Sequence, residues 1–169
     1  VLFRSSDKNT IKLGIAYYRH HYPVLARVRE LLQAGSLGEP VVAQINAFER
    51  FDPGPDDPKA WRLNPHLSGG GPMNDFGGHR SEMLLALFGS VQKVLSYTHN
   101  VYYNRDVEDT AIAVLQFSAG IMANVTVSRA VLEPQDTLDI FCTEGSIHIP
   151  VLNKGTLIVQ SETDKLTEK

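Results

Sequence analysis

With 169 residues, 43% of them hydrophobic and 21% charged, the chain has the make-up of one globular domain with a sizeable core. Its net charge of −3 comes without a basic block, which excludes the electrostatic footprint of a nucleic-acid binder or of a protein drawn to anionic membrane. No apolar run reaches the ~18–20 residues of a membrane span, no secretory pattern is visible, and the single cysteine, Cys142, has no internal disulfide partner, so a cytoplasmic location is expected.

In chain order, residues 1–10 carry neither a helix nor a strand pattern and read as a leader or frayed end. The domain proper is expected over residues 11–160, followed by a loose polar tail at 161–169. Ile11–Tyr18 (IKLGIAYY) is apolar and partly β-branched, as a buried strand would be. After Arg19, His20 and His21, Pro23 suits the first turn of a helix, and Val24, Leu25, Val28, Leu31 and Leu32 form its apolar stripe. Gly35 ends it, and GSLGEP turns the chain into a strand at Val41–Arg50. A strand, a helix and a strand in that order predict a right-handed parallel crossover. Phe51–Leu67 is a loop by its prolines and aspartates, and its Trp61-Arg62 pair is either a lid or ligand contact or a simple hydrophobic anchor.

Gly69–Pro72 interrupts any regular element, and a helix is predicted from Asn74 and Asp75 to Gly89. Strands follow: Val91–Tyr103, a hairpin of Asp109–Phe117 and Ile121–Arg129, then Gln135–Thr143, Ser146–Ile149 and Thr156–Gln160. Helices early and strands late predict an α+β fold, one large, mostly antiparallel open sheet with helices on one face. The other face is expected to pair with a second copy, making a homo-oligomer, with Met122, Val125 and Val127 as apolar contacts.

The stretch SGGGPMNDFGGHRSE holds the candidate chemistry. Asp75 and His79 are four residues apart, so their side chains share one helix face beside a glycine loop. A carboxylate next to an imidazole there is a plausible acid/base pair. The competing reading is a core histidine, because His79 is also one turn from Phe76 and Met83. Arg19, Tyr18, Trp61 and Arg62 are candidates for holding polar groups of a substrate, although each arginine could equally serve a structural ion pair.

Several segments, in this order, resemble the C-terminal domain of the Gfo/Idh/MocA oxidoreductases: AYYRHHYP, ELLQAGSLGEP, Trp61-Arg62, the triple glycine followed by Asp75, His79 and Glu82, the hairpin VEDTAIAVLQFSAGIMANVTVSR, and CTEGSIHIP. The likeness covers roughly residues 15–160. It implies an NAD(P)-dependent dehydrogenase acting on a sugar, polyol or related carbonyl compound. On that resemblance this domain supplies the substrate pocket and the oligomer contact, while a separate N-terminal domain binds NAD or NADP. His79 would be the acid/base on the reacting hydroxyl and Asp75 would bind and orient the substrate.

The family's cofactor half has no counterpart here. Gly69-Gly70-Gly71 follows a loop rather than a strand, with Asn74 where the third fingerprint glycine would stand. No Glu-Lys-Pro step supplies a catalytic lysine. The chain is therefore expected to be a fragment or stand-alone relative, inactive in hydride transfer by itself. Other readings are a non-catalytic dimerising or ligand-binding module, an NAD-dependent glycosidase of the same family, and a metal site on His79, Asp75 and His20, His21 or His66, for which no ligand spacing is evident.

Overall fold

The computed structural model describes residues 2–162 and 164–168; Val1, Thr163 and Lys169, which belong to the expected leader and tail, lie outside them. The helices are α1 (Leu2–Asn9), α2 (Pro23–Ala34), α3 (Pro65–Ser68) and α4 (Gly78–Phe88). The strands are β1 (Pro40–Arg50), β2 (Val91–His99), β3 (Thr110–Phe117), β4 (Met122–Ser128), β5 (Ala130–Cys142), β6 (Gly145–Ile149), β7 (Leu157–Ser161) and β8 (Lys165–Glu168). They form one sheet in the order β2-β3-β4-β1-β5-β6-β7-β8. Every neighbouring pair is antiparallel except β1 and β4. This is the expected α+β architecture.

Alternation in the sequence decides which face is covered. Ala43, Ile45 and Ala47 of β1, Ala123, Val125 and Val127 of β4, and Leu138 and Ile140 of β5 point inward and are buried. Their small and branched side chains meet Leu25 and Val28 of α2 and Met83 and Leu84 of α4 in one core. Each fully buried aliphatic side chain contributes roughly 1.5–3 kcal/mol of transfer free energy. Pro23 opens α2, and Gly35 closes it in the left-handed region at φ 68°.

The parallel pairing of β1 with β4 brings the carboxyl ends of both strands to one rim, where Phe48 lies opposite Ser128 on one side and Gln135 of β5 on the other. The loop after β1, the residue after β4 and the start of α4 all converge there. That rim carries the site.

Several local expectations fail, each for a long-range reason. Ile11–Tyr18 is not a buried strand: no described strand lies beside it, and Ile11 and Ile15 are 64% and 60% exposed. Without it there is no crossover into β1, and the parallel pair is β1 with β4 instead. Residues 2–9 form a helix, in which Asn9 Nδ2 donates to Ser5 O at 2.7 Å. The end of the chain pairs as β8 on β7, where Arg27 Nε and Nη2 donate to the two carboxylate oxygens of Glu168, both at 2.9 Å. The strand expected to reach Tyr103 stops at His99, because the carboxylate of Asp109 captures the next N–H groups. Of the residues proposed for the open face, Val125 and Val127 lie under the helices, whereas Met122 is 47% exposed.

Candidate functional site

The glycine run is shaped by a carboxylate. Gly71 N and Met73 N donate to Glu108 Oε2 and Oε1 at 2.8 and 3.4 Å. A Cβ on Gly71 would stand 2.1 Å from the carbonyl oxygen of Glu108, so only glycine allows this approach. Next to it, Asp109 is fully buried and accepts the N–H groups of Val101, Tyr102 and Tyr103 at 2.8–3.0 Å. Burial alone would raise its pKa, but these bonds and the Thr110 hydroxyl outweigh it and hold the carboxyl below its ordinary value.

The helix that follows begins differently from the expected start. Met73–Gly77 is a π-helical turn, with Gly77 N donating to Pro72 O, five residues back, at 2.9 Å. Asn74 does not cap it; its amide donates to Gly69 O. Single π turns of this kind occur frequently at functional sites. Here the turn leads into α4 with Asp75 and His79 both on the wall of one cavity.

That cavity, about 370 Å³, is lined by Tyr17, Trp61, Arg62, Asp75, His79 and Arg129 among others. The His79 ring is packed edge-on by Tyr17 and Tyr18, at 5.4 and 5.9 Å between centroids. Its Nδ1 is buried with no hydrogen-bond partner. Burial, and then the positive charges of Arg19 and Arg80, pushes the imidazole below its ordinary pKa of 6.5, only partly opposed by Asp75 and Glu82. His79 is therefore a neutral imidazole at pH 7, a state fit to accept a proton.

Asp75 does not pair with His79. Its Oδ2 accepts from Arg129 Nη2 and lies 3.5 Å from Arg62 Nη1. Arg62 in turn lies over the Trp61 ring at 5.6 Å, so the Trp61-Arg62 pair belongs to the cavity wall. Arg19 lines a second cavity of about 180 Å³, which shares Arg62, Asp75 and Arg129 with the first. Tyr18 lines neither; it packs edge-on against the His79 ring. His20 is 2.6 Å from Glu82, its ring tilted 50° against that of His21, and it does not line the cavity. Among the described residues no three histidine, cysteine or carboxylate side chains are grouped to share a metal.

Sequence reasoning missed Arg129, Arg80, Tyr17 and Glu108. A signal for the first existed: Arg129 continues the buried phase of Ile121, Ala123, Val125 and Val127, a charge where an aliphatic belongs. Arg80 likewise falls in the helical stripe of Phe76 and Leu84 and is 5% exposed. Both guanidinium groups flank the Phe76 ring at 5.3 Å, and Arg129 also covers Phe51 at 4.5 Å.

A family model described as the GFO/IDH/MocA C-terminal domain matches residues 25–148. The chain belongs to the Gfo/Idh/MocA oxidoreductase family, as its C-terminal domain. An oxidoreductase of Formosa agariphila is 26% identical over 151 residues, 87% of this chain and 46% of its own length. The D-xylose 1-dehydrogenase [NADP(+)] of Haloarcula marismortui is 37% identical over 71 residues, 42% of this chain and 20% of its own. The same fold occurs in levoglucosan dehydrogenase in complex with NADH and levoglucosan, at 21% identity and TM-score 0.80, covering 94% of this chain and 47% of that one. It occurs also in an NAD binding oxidoreductase from Klebsiella pneumoniae, at 19% identity and TM-score 0.79, covering 98% and 48%. The chain thus spans at most about half the length of these relatives.

Proposed function

We propose that the chain is the substrate-binding and oligomer-forming half of an NAD(P)-dependent dehydrogenase acting on a sugar, polyol or related carbonyl compound. The observation that carries this is His79: an imidazole held below its ordinary pKa, on the wall of a 370 Å³ cavity beside Asp75 and Arg62, with Nδ1 buried and Nε2 left as the nitrogen to meet a ligand. A cavity of this kind, largely preformed and holding a few convergent polar groups, suits a hydroxylated small molecule.

This chain's glycine run does not fit a dinucleotide. The N–H groups of Gly71 and Met73 that could cradle phosphate are already bound by the Glu108 carboxylate, which would repel it. NAD or NADP, bound mainly by a separate N-terminal domain, supplies the hydride acceptor. The exposed alternate side chains Ile11, Leu13 and Ile15 support a neighbouring domain packing on that segment.

The residues of this chain bind and deprotonate. Trp61 offers an apolar wall, and Asp75, held by two arginines, accepts a substrate hydroxyl with its remaining lone pairs. His79 takes the carbinol proton as the C–H bond is oxidised, so no free alkoxide forms in a partly desolvated site. The positive charges of Arg19 and Arg80 limit how long the imidazolium persists, which favours return of the proton to solvent.

The outer face of the sheet exposes Leu95, Tyr97, Ile112, Met122 and Phe141, with Tyr97 83% accessible, which supports pairing through that face. Reduction of NAD(P)+ by the full-length gene product, followed at the nicotinamide absorbance over a panel of sugars and polyols, tests the activity. Turnover that disappears in His79→Ala with the fold intact supports the proposal; unchanged turnover contradicts it. A monomeric mass in solution scattering removes the oligomer.

A further inference from the structure

The two cavities meet at Arg129, and the smaller one is short of an anion. Four guanidinium groups line it, those of Arg19, Arg62, Arg80 and Arg129. Three carboxylates answer them. Glu49 Oε1 accepts from Arg129 Nε at 3.1 Å, and Asp75 is shared by Arg129 and Arg62. Asp136 is shared by Arg80, at 2.7 Å, and Arg19, at 3.3 Å. One positive charge remains over.

The hydrogen bonds show the same deficit. Arg129 Nη1, Arg62 Nε and Arg19 Nε are buried donors without an acceptor. Arg129 is only 1% exposed, and it lines both cavities. A guanidinium buried so deeply normally has its donors filled, since a charged group left unsatisfied is costly. All three side chains line the smaller cavity, so its wall is short of acceptors as well as of negative charge.

We propose that the smaller cavity is a carboxylate pocket, and that the substrate is a hydroxylated acid whose carbinol meets His79 while its carboxylate is received by Arg129, Arg62 and Arg19. A planar carboxylate matches the planar forks of guanidinium groups. Its single charge equals the surplus, whereas a phosphate ester near neutral pH would exceed it. The second half of this assignment, the carbinol at His79, rests on the dehydrogenase reading; the carboxylate pocket does not.

Isothermal titration of the full-length gene product with D-gluconate and D-glucuronate against D-sorbitol and D-glucose tests it, with glucose 6-phosphate as the competing anion. The acids are expected to bind about tenfold or more tightly than their neutral partners, as charge-assisted hydrogen bonds allow. Arg62→Gln, at a partly exposed residue, should bring that ratio towards unity, and Arg129→Met should do the same where its melting curve shows it folded. Equal affinity for acid and neutral partner, no binding of the acids at millimolar concentration, tighter binding of the phosphate, or a ratio that survives Arg62→Gln overturns the proposal. Acids bound in preference to their neutral partners but without nicotinamide reduction would support the pocket and contradict the carbinol at His79. Reduction by neutral sugars alone, without acid preference, would do the reverse.

Discussion

The Asp139–His148 pair on the sheet and the Asp75–His79 pair at its rim each bring a carboxylate near an imidazole, and they differ in what is left unbonded. On β5 and β6, Asp139 and His148 are cross-strand partners, and Asp139 Oδ1 lies 2.6 Å from His148 Nδ1. Ser146, two residues before His148 on the same face, lies 2.9 Å from its Nε2. The row reads like a serine–histidine–aspartate relay, yet both ring nitrogens are satisfied and none of the three residues lines either cavity of the rim. At the rim, Asp75 and His79 do not bond to one another, and His79 Nδ1 has no partner at all. A closed chain of hydrogen bonds stabilises a strand pair; an imidazole on a cavity wall that is tied to no carboxylate keeps Nε2 for a substrate.

The largest expected effect breaks this comparison most sharply. His79→Ala should lower turnover of the full-length protein by about 10²–10⁴-fold, the usual loss for a general base, whereas His148→Ala should leave it within about twofold. Next comes stability of the site's support. Asp109→Ala strands three backbone N–H groups and should cost about 3 kcal/mol or more in chemical denaturation. Because the folded Asp109 pKa is depressed, its contribution is present above the ordinary value of 3.8 and is lost as pH falls through the folded value. Gly71→Ala, driven against the Glu108 carbonyl, should cost about 1–3 kcal/mol, while Gly54→Ala, with nothing near the new methyl group, should change stability by less than about 0.5 kcal/mol. Ser146→Ala, which removes one hydrogen bond of the closed chain, should cost about 0.5–1 kcal/mol.

What the sequence made legible and what it hid divide along the same line. The α2 stripe, the hairpin of β3 and β4 and the Asp75–His79 spacing are local patterns, written in alternation, helical period and turn glycines. What it hid depends on partners far along the chain. Arg27 meets Glu168 and turns a polar tail into a strand. Glu108 binds the glycine run from 37 residues away. Ile11–Tyr18 has a strand's composition but no described strand beside it, and composition cannot report the absence of a neighbour. Arg129 was visible as a charge in an apolar phase, yet its meaning required knowing that Asp75, Glu49 and Phe51 converge on it.

The pH dependence of kcat/KM in the full-length protein tests the role of His79 most directly. Protonation of a base whose pKa lies below 6.5 predicts an acid limb below that value. Arg19→Gln, which removes a cation facing the ring, should move the limb upward. In His79→Ala the limb should be absent from the residual rate. A limb of unchanged position in His79→Ala would assign the proton to another group and contradict the account.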